Sequence, residues 1–109
     1  MGNRKKTDEA GIRGLQSISD LEAEIMHIVW DKKNVTVREV HETILKKEIS
    51  ENKSKFTPYT TLMSTMNSLV ERGFLKQDKS KRKHTYTYTF DSKELTKKII
   101  LTVAEKLLP

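Results

Sequence analysis

Between Thr57 and Phe74 the chain reads TPYTTLMSTMNSLVERGF, and its polar side chains are mostly hydroxyls and amides. Tyr59, Thr60, Thr61, Ser64, Thr65, Asn67 and Ser68 are uncharged, and no acidic residue precedes Glu71. Such short groups hydrogen-bond base edges and phosphate oxygens without repelling a polyanion. The chemistry this set can perform is recognition, and the spacing predicts a helix whose polar face enters the major groove of double-stranded DNA. Arg72 extends the set, and Lys79, Lys81, Arg82 and Lys83 follow as a basic cluster suited to phosphates.

Nothing beside it suggests bond-making. There is no Gly-rich phosphate loop, paired-carboxylate constellation, nucleophile with a base or metal-ligand spacing, so no catalytic residue, cofactor or metal is expected. His41-Glu42 begins like a zinc-protease motif, but Leu45 stands where the second histidine belongs. His27, His41 and His84 are scattered and read as surface or boundary residues.

The reading stretch needs a scaffold, and the flanking sequence supplies one. Thr57 is a candidate cap, Pro58 suits a first helical turn, and Gly73 suits a left-handed stop. Leu62, Met66, Leu69 and Val70 form the stripe this helix would bury, and Phe74 can fold back on Leu69. Upstream, Ser19 and Glu22 form a capping box, followed by Leu21, Ile25, Met26, Ile28, Val29 and Trp30, with Trp30 as a core anchor. Residues 31–34 read as a turn. Thr36 and Glu39 repeat the capping box, Val35 can staple onto Val40, and Val37, Val40, Ile44 and Leu45 face the core. Lys46 to Phe56 reads as a helix end and a loop.

Beyond Gly73 the period changes from helical to alternating. Leu75–Asp78 is a short strand, and Thr85–Phe90 a second one with Tyr86, Tyr88 and Phe90 on one face. Lys79 to Lys83 then forms a basic hairpin tip. Three helices and such a hairpin predict a mostly α chain with a small β-hairpin, a winged helix-turn-helix with a two- or three-stranded wing. A last helix starts at Asp91 or Ser92 and runs through Leu108. Its apolar residues cover more circumference than one core contact requires, so Leu95, Ile99, Ile100, Val103 and Leu107 are expected to pair with a second copy in a homodimer. The expected organisation is a flexible basic arm over 1–17, a winged-helix domain over 18–90 and a C-terminal helix for dimerisation over 91–109.

Composition narrows the setting. The 109 residues suit one small domain, and cysteine is absent, which removes disulfides and thiolate metal sites. No apolar run approaches the roughly 20 residues that span a bilayer, so a soluble cytoplasmic protein without a membrane partner is expected. The net charge of +6 is unevenly spread: residues 72–90 hold six basic groups against one acidic, while residues 18–45 hold three against six. The cationic excess therefore follows the polar-faced helix directly.

With these residues in place the order is familiar. ISDLEAEIMHIVW (Ile18 to Trp30), VTVREV (Val35 to Val40) and YTTLMSTMNSLVERGFLK (Tyr59 to Lys76) resemble the penicillinase repressor family (BlaI/MecI/CopY). The resemblance covers about residues 18 to 90. It implies a winged-helix repressor bound to a palindromic operator as a homodimer, with Thr60, Thr61 and Ser64 inheriting base contacts and Lys81 to Lys83 the wing role. Three features depart from the family pattern. Ser68 stands where much of the family carries a basic residue, the wing lacks a tip glycine and is more basic, and one helix stands where relatives usually carry several. The competing reading is a winged helix that meets a protein or binds nucleic acid without sequence preference.

Overall fold

The computed structural model describes residues 18–109, and the arm expected over 1–17 lies outside them. Helix α1 spans Asp20–Lys32, α2 Val37–Ser50 and α3 Tyr59–Glu71; strands β1 (Leu75–Asp78) and β2 (Thr85–Tyr88) follow, then α4 (Ser92–Leu107). Three helix starts are made locally. Ser19 with Glu22, Thr36 with Glu39 and Asp91 with Glu94 each form a reciprocal capping box, satisfying amides that the first turn leaves without partners. The first turn of α3 differs, as described below.

The core is the convergence of apolar stripes at helical spacing. Ile25, Met26 and Val29 of α1, Val37, Val40 and Ile44 of α2, and Leu62, Met66 and Leu69 of α3 are buried together with Val35, Phe74, Leu75, Tyr86 and Leu95. Fully burying each such aliphatic or aromatic side chain contributes about 1.5–3 kcal/mol before the entropy of ordering it is set against that gain. Val35 and Val40 flank the second capping box and are both fully buried, as a staple requires.

Helix α3 ends as its glycine dictates. Gly73 sits at φ +84°, its N–H donates to the Val70 carbonyl (3.0 Å), and the Phe74 N–H donates to the Leu69 carbonyl (2.9 Å). This pair of bonds is the Schellman arrangement, and it turns Phe74 into the core. The chain then enters an antiparallel hairpin in which Leu75 faces Tyr88 and Asp78 faces Thr85. A single bridge between Val35 and Tyr86 adds the α1–α2 connection to the edge of β2. The second strand is shorter than expected, ending at Tyr88, and its continuation is used otherwise: the Phe90 carbonyl accepts from Trp30 Nε1 at 2.8 Å.

The α1–α2 corner is tight. Helix α1 runs to Lys32, so the turn expected from Asp31 begins later, at Lys33, whose φ of 76° is unusual for a residue with a Cβ. Its carbonyl accepts from the Thr87 hydroxyl at 2.6 Å, which holds the corner against the sheet.

Arg72, expected at the nucleic acid, has a structural place. Its Nη1 donates to Glu22 Oε2 at 2.8 Å, with both side chains largely shielded (20% and 14% exposed), and its guanidinium lies 4.8 Å from the centre of the Phe74 ring. The pair ties the end of α3 to the start of α1.

Two stability outcomes follow from these contacts. Gly73→Ala should lower stability by about 1–2 kcal/mol in urea unfolding, the cost of a Cβ in left-handed backbone, because no atom lies within 4 Å to add a clash. Arg72→Met, which keeps the apolar stem, should lower it by about 2 kcal/mol through removal of the charged hydrogen bond, and should leave the salt dependence of DNA binding unaltered.

Candidate nucleic-acid interface

The exposed side of α3 carries the expected residues. Tyr59, Thr60, Thr61, Ser64 and Asn67 are exposed, while Thr65 and Ser68 are half-buried towards the flanks. Leu62, Met66 and Leu69 are fully buried on the other side, so the helix offers one polar face and hides one apolar face. Among the described residues no acidic group lies on that face before Glu71.

Not every hydroxyl or amide there is equally available. The Thr65 hydroxyl donates to the Thr61 carbonyl at 2.8 Å, an internal helix bond. The Asn67 Oδ1 accepts from the Tyr86 hydroxyl at 3.4 Å, and that hydroxyl in turn accepts from Gln77 Nε2 at 2.8 Å. Gln77, Tyr86 and Asn67 thus form a polar chain from β1 through β2 to α3. Burial raises the Tyr86 phenol above its ordinary value, with the nearby Tyr59 a smaller cause. Tyr59, Thr60, Thr61 and Ser64 are the exposed members of the set outside these pairings.

The wing tip stands beside this helix. An open groove is lined by Tyr59 and Met63 of α3, by Arg82, Lys83, His84 and Tyr86 of the hairpin, and by Thr36, Val37 and Arg38 at the start of α2. Lys79, Lys81, Arg82 and Lys83 are all exposed. The tip forms without the glycine that such turns often use. Asp78 Oδ1 accepts from both the Ser80 amide (2.9 Å) and the Ser80 hydroxyl (2.6 Å), an Asx turn that replaces backbone permissiveness with a side-chain brace. Those bonds, the hydroxyl's first, hold the Asp78 carboxyl below its ordinary range.

Three groove residues were not singled out from the sequence. Met63 reads as one more apolar member of the helical stripe, yet it is 39% exposed beside Tyr59. Arg38 lies within the Thr36–Glu39 capping box, where it reads as solvated surface, and its contact with Glu42 is long at 3.7 Å and open to solvent, hence worth little. His84 is exposed at the base of the tip. The clue for Arg38 was its position on the helix before α3, because in helix-turn-helix motifs the helix preceding the recognition helix crosses the DNA backbone.

The start of α3 corrects the expected cap. Pro58 is the N-cap, and no side chain caps the helix. Thr57 instead faces α2: its hydroxyl donates to Glu48 Oε2 at 2.6 Å, its N–H donates to Glu48 Oε1 at 3.0 Å, and its carbonyl accepts from His41 Nε2 at 2.9 Å. His41, read as an ordinary boundary residue, is therefore a fastening. The Thr57 hydroxyl bond is the main reason the Glu48 carboxyl lies below its ordinary range.

The α4 surface divides into two parts. Leu95 is in the core and Ile99 packs against it, so these two residues, expected between subunits, belong to the protein's own fold. Their burial follows from the helix docking by its first turns, with Lys98 lying 5.0 Å from the centre of the Phe90 ring. Ile100 and Leu107 are 60% and 78% exposed, and Val103 is half-buried. Leu101 and Leu108 add to the exposed apolar surface. Among the described residues no helix is long and apolar enough to cross a membrane, and no cluster of three metal-binding side chains occurs.

Comparison with known proteins agrees with this arrangement. A family model described as penicillinase repressor matches residues 18–109, which includes every described element. The chain is also similar to the solution structure of the DNA-binding domain of the repressor BlaI, at 26% identity and a TM-score of 0.54, over 73% of this chain and 89% of that one. A search of the curated proteins found no match. The four helices of the described residues, with their antiparallel hairpin, are a winged helix, and the chain belongs to the penicillinase repressor family, whose members are DNA-binding transcriptional regulators and not enzymes.

Proposed function

We propose that this DNA-binding transcriptional repressor acts as a two-fold homodimer on a palindromic operator, reading bases with Thr60, Thr61 and Ser64 of α3 and holding phosphates with the wing. The observation that carries this reading is that α3, whose exposed side bears Thr60, Thr61 and Ser64, stands beside the cationic hairpin tip, with Tyr59 and Met63 of the helix and Arg82 and Lys83 of the tip lining one groove. Hydroxyls on the helix suit base edges, which carry sequence information. Lys79, Lys81, Arg82 and Lys83 suit the phosphate backbone, whose contacts position the protein and release counterions. Arg38 extends the cationic side of the groove, which His84 also lines. Tyr59 and Ser68 flank the reading face, and Thr65 and Asn67 contribute mainly by holding their neighbours.

Dimerisation is supported by the outer part of α4. Ile100, Val103 and Leu107, with Leu101 and Leu108, leave an apolar surface that a second copy of the helix would cover, an isologous contact with the same patch on both sides. A two-fold pair would present two copies of α3 to half-sites about one helical turn, or a multiple of it, apart. Repression then follows from occupancy, because a dimer covering promoter DNA excludes polymerase. The alternative, a module that binds nucleic acid without preference or meets another protein, separates in the experiment below.

Duplexes selected by the protein from a random pool, titrated beside scrambled controls in about 0.15 M salt, should show preferential binding; equal affinities would favour the alternative. Thr61→Ala should weaken the selected duplex by about 1–3 kcal/mol and barely change the control. Neutralising Lys81, Arg82 and Lys83 together should weaken both duplexes alike and flatten the logarithmic salt slope by about 0.9 for each phosphate that is no longer neutralised. Light scattering at micromolar concentration should give twice the chain mass, falling to the chain mass when Ile100 and Leu107 are both replaced by Asp; a chain mass for the unaltered protein would end the dimer reading.

A further inference from the structure

The first turn of α3 has no apolar anchor of its own. Pro58, Tyr59, Thr60 and Thr61 are all exposed, and the first buried side chain of the helix is Leu62. The stripe that begins there is held by contacts without directional preference, which tolerate a small rotation or slide of the helix. Hydrogen bonds lose strength steeply as distance and angle change. What fixes the exposed turn must therefore be polar, and the polar contacts at its entrance all come from α2.

Every hydrogen-bonding group of Thr57 is engaged there. Glu48 takes the N–H and the hydroxyl, one on each carboxylate oxygen, and His41 donates to the carbonyl. Seven residues separate the two partners on α2, so they lie on one face two turns apart. The His41 ring also stands edge-on to Tyr59, with centroids 5.3 Å apart and an interplanar angle of 89°. A threonine hydroxyl at this place could otherwise have turned inward to the helix amides; the carboxylate draws it away. Three polar bonds and one ring contact thus grip both the residue before Pro58 and the first residue of the helix.

We propose that Glu48, His41 and Thr57 are positioning residues for DNA recognition: they set the rotation of the first turn of α3, so that discrimination between sequences depends on side chains outside the exposed hydroxyl face. This rests on the reading of α3 given above. Bulk affinity, which comes from the wing, does not depend on them. A recognition constellation must be held to within about 0.5 Å, and these contacts are what would hold a first turn bearing Thr60 and Thr61 to that tolerance.

The test uses a duplex selected by the unaltered protein from a random pool and a scrambled duplex of the same composition. Thr57→Val keeps shape and removes the hydroxyl bond, Thr57→Ser restores it, and Glu48→Gln weakens the other end. The affinity ratio of selected to scrambled duplex should fall about tenfold in Thr57→Val and in Glu48→Gln, the size of one base-edge hydrogen-bonding interaction, with the scrambled duplex bound within about twofold of before. Thr57→Ser should keep the original ratio. An unchanged ratio in both weakened variants, or parallel weakening on both duplexes, overturns the proposal. If circular dichroism shows that Thr57→Val does not fold, Glu48→Gln and His41→Phe carry the measurement. Loss of the fold in all three marks the network as a stability element and overturns the proposal as well. Failure of the unaltered protein to select any common sequence defeats the reading of α3 instead.

Discussion

A helix that is to approach another molecule closely along one face must be held entirely by the opposite one. In α3 that burden falls on Leu62, Met66 and Leu69, all fully buried, and on the glycine-stopped turn that drives Phe74 in beside them. The polar content of the outer face before Glu71 is hydroxyl and amide, so nothing there repels a polyanion. The apolar stripe and the bare face are two sides of one requirement. The remaining elements close the core around that stripe, with Arg72 locked to Glu22 at one end of the helix and Thr57 locked to Glu48 at the other.

The wing is joined to the same helix by a different kind of force. Its apolar root is Leu75 and Tyr86, both buried, and the Tyr86 hydroxyl reaches Asn67 on α3 while accepting from Gln77. The cationic tip beyond that root is exposed and shaped by Asp78 through Ser80. Root and tip are thus separated in function along a few residues: packing and directed bonds set where the hairpin stands, and exposed charge sets what it attracts. Asp78 places one negative group under the tip, but both of its bonds come from Ser80, so it serves as a brace.

Much of this was legible in the chain because it is encoded locally. Capping boxes at Ser19 and Thr36, the helical spacing of Leu62, Met66 and Leu69, the glycine at position 73 and the alternation through Tyr86 each act over a few residues, and each element appears where those signals stand. What was not legible depends on pairs distant in sequence. Thr57 has the composition of a cap, but a carboxylate nine residues earlier outcompetes the helix amides for its hydroxyl. Arg72 has the composition of a phosphate ligand, but Glu22, fifty residues away, holds it. Leu95 and Ile99 share a helical stripe with residues that face outward, and periodicity alone could not divide that stripe between core and surface. Met63 and Arg38 were passed over for the same reason, since only the folded chain brings them beside the wing.

The bonds that fasten α1 share a further property. Glu22 pairs with Arg72, Trp30 with the Phe90 carbonyl and the Lys33 carbonyl with Thr87, across separations of 50, 60 and 54 residues. Closing such loops costs entropy before any contact rewards it. During synthesis α1 therefore waits for its partners: until Phe90 has left the ribosome, the nascent chain lacks the bond that completes the Trp30 side of the domain. Assembly of this domain in that sense waits for Thr87 and Phe90, and a polypeptide interrupted before them would carry α3 without the bonds that complete its framework.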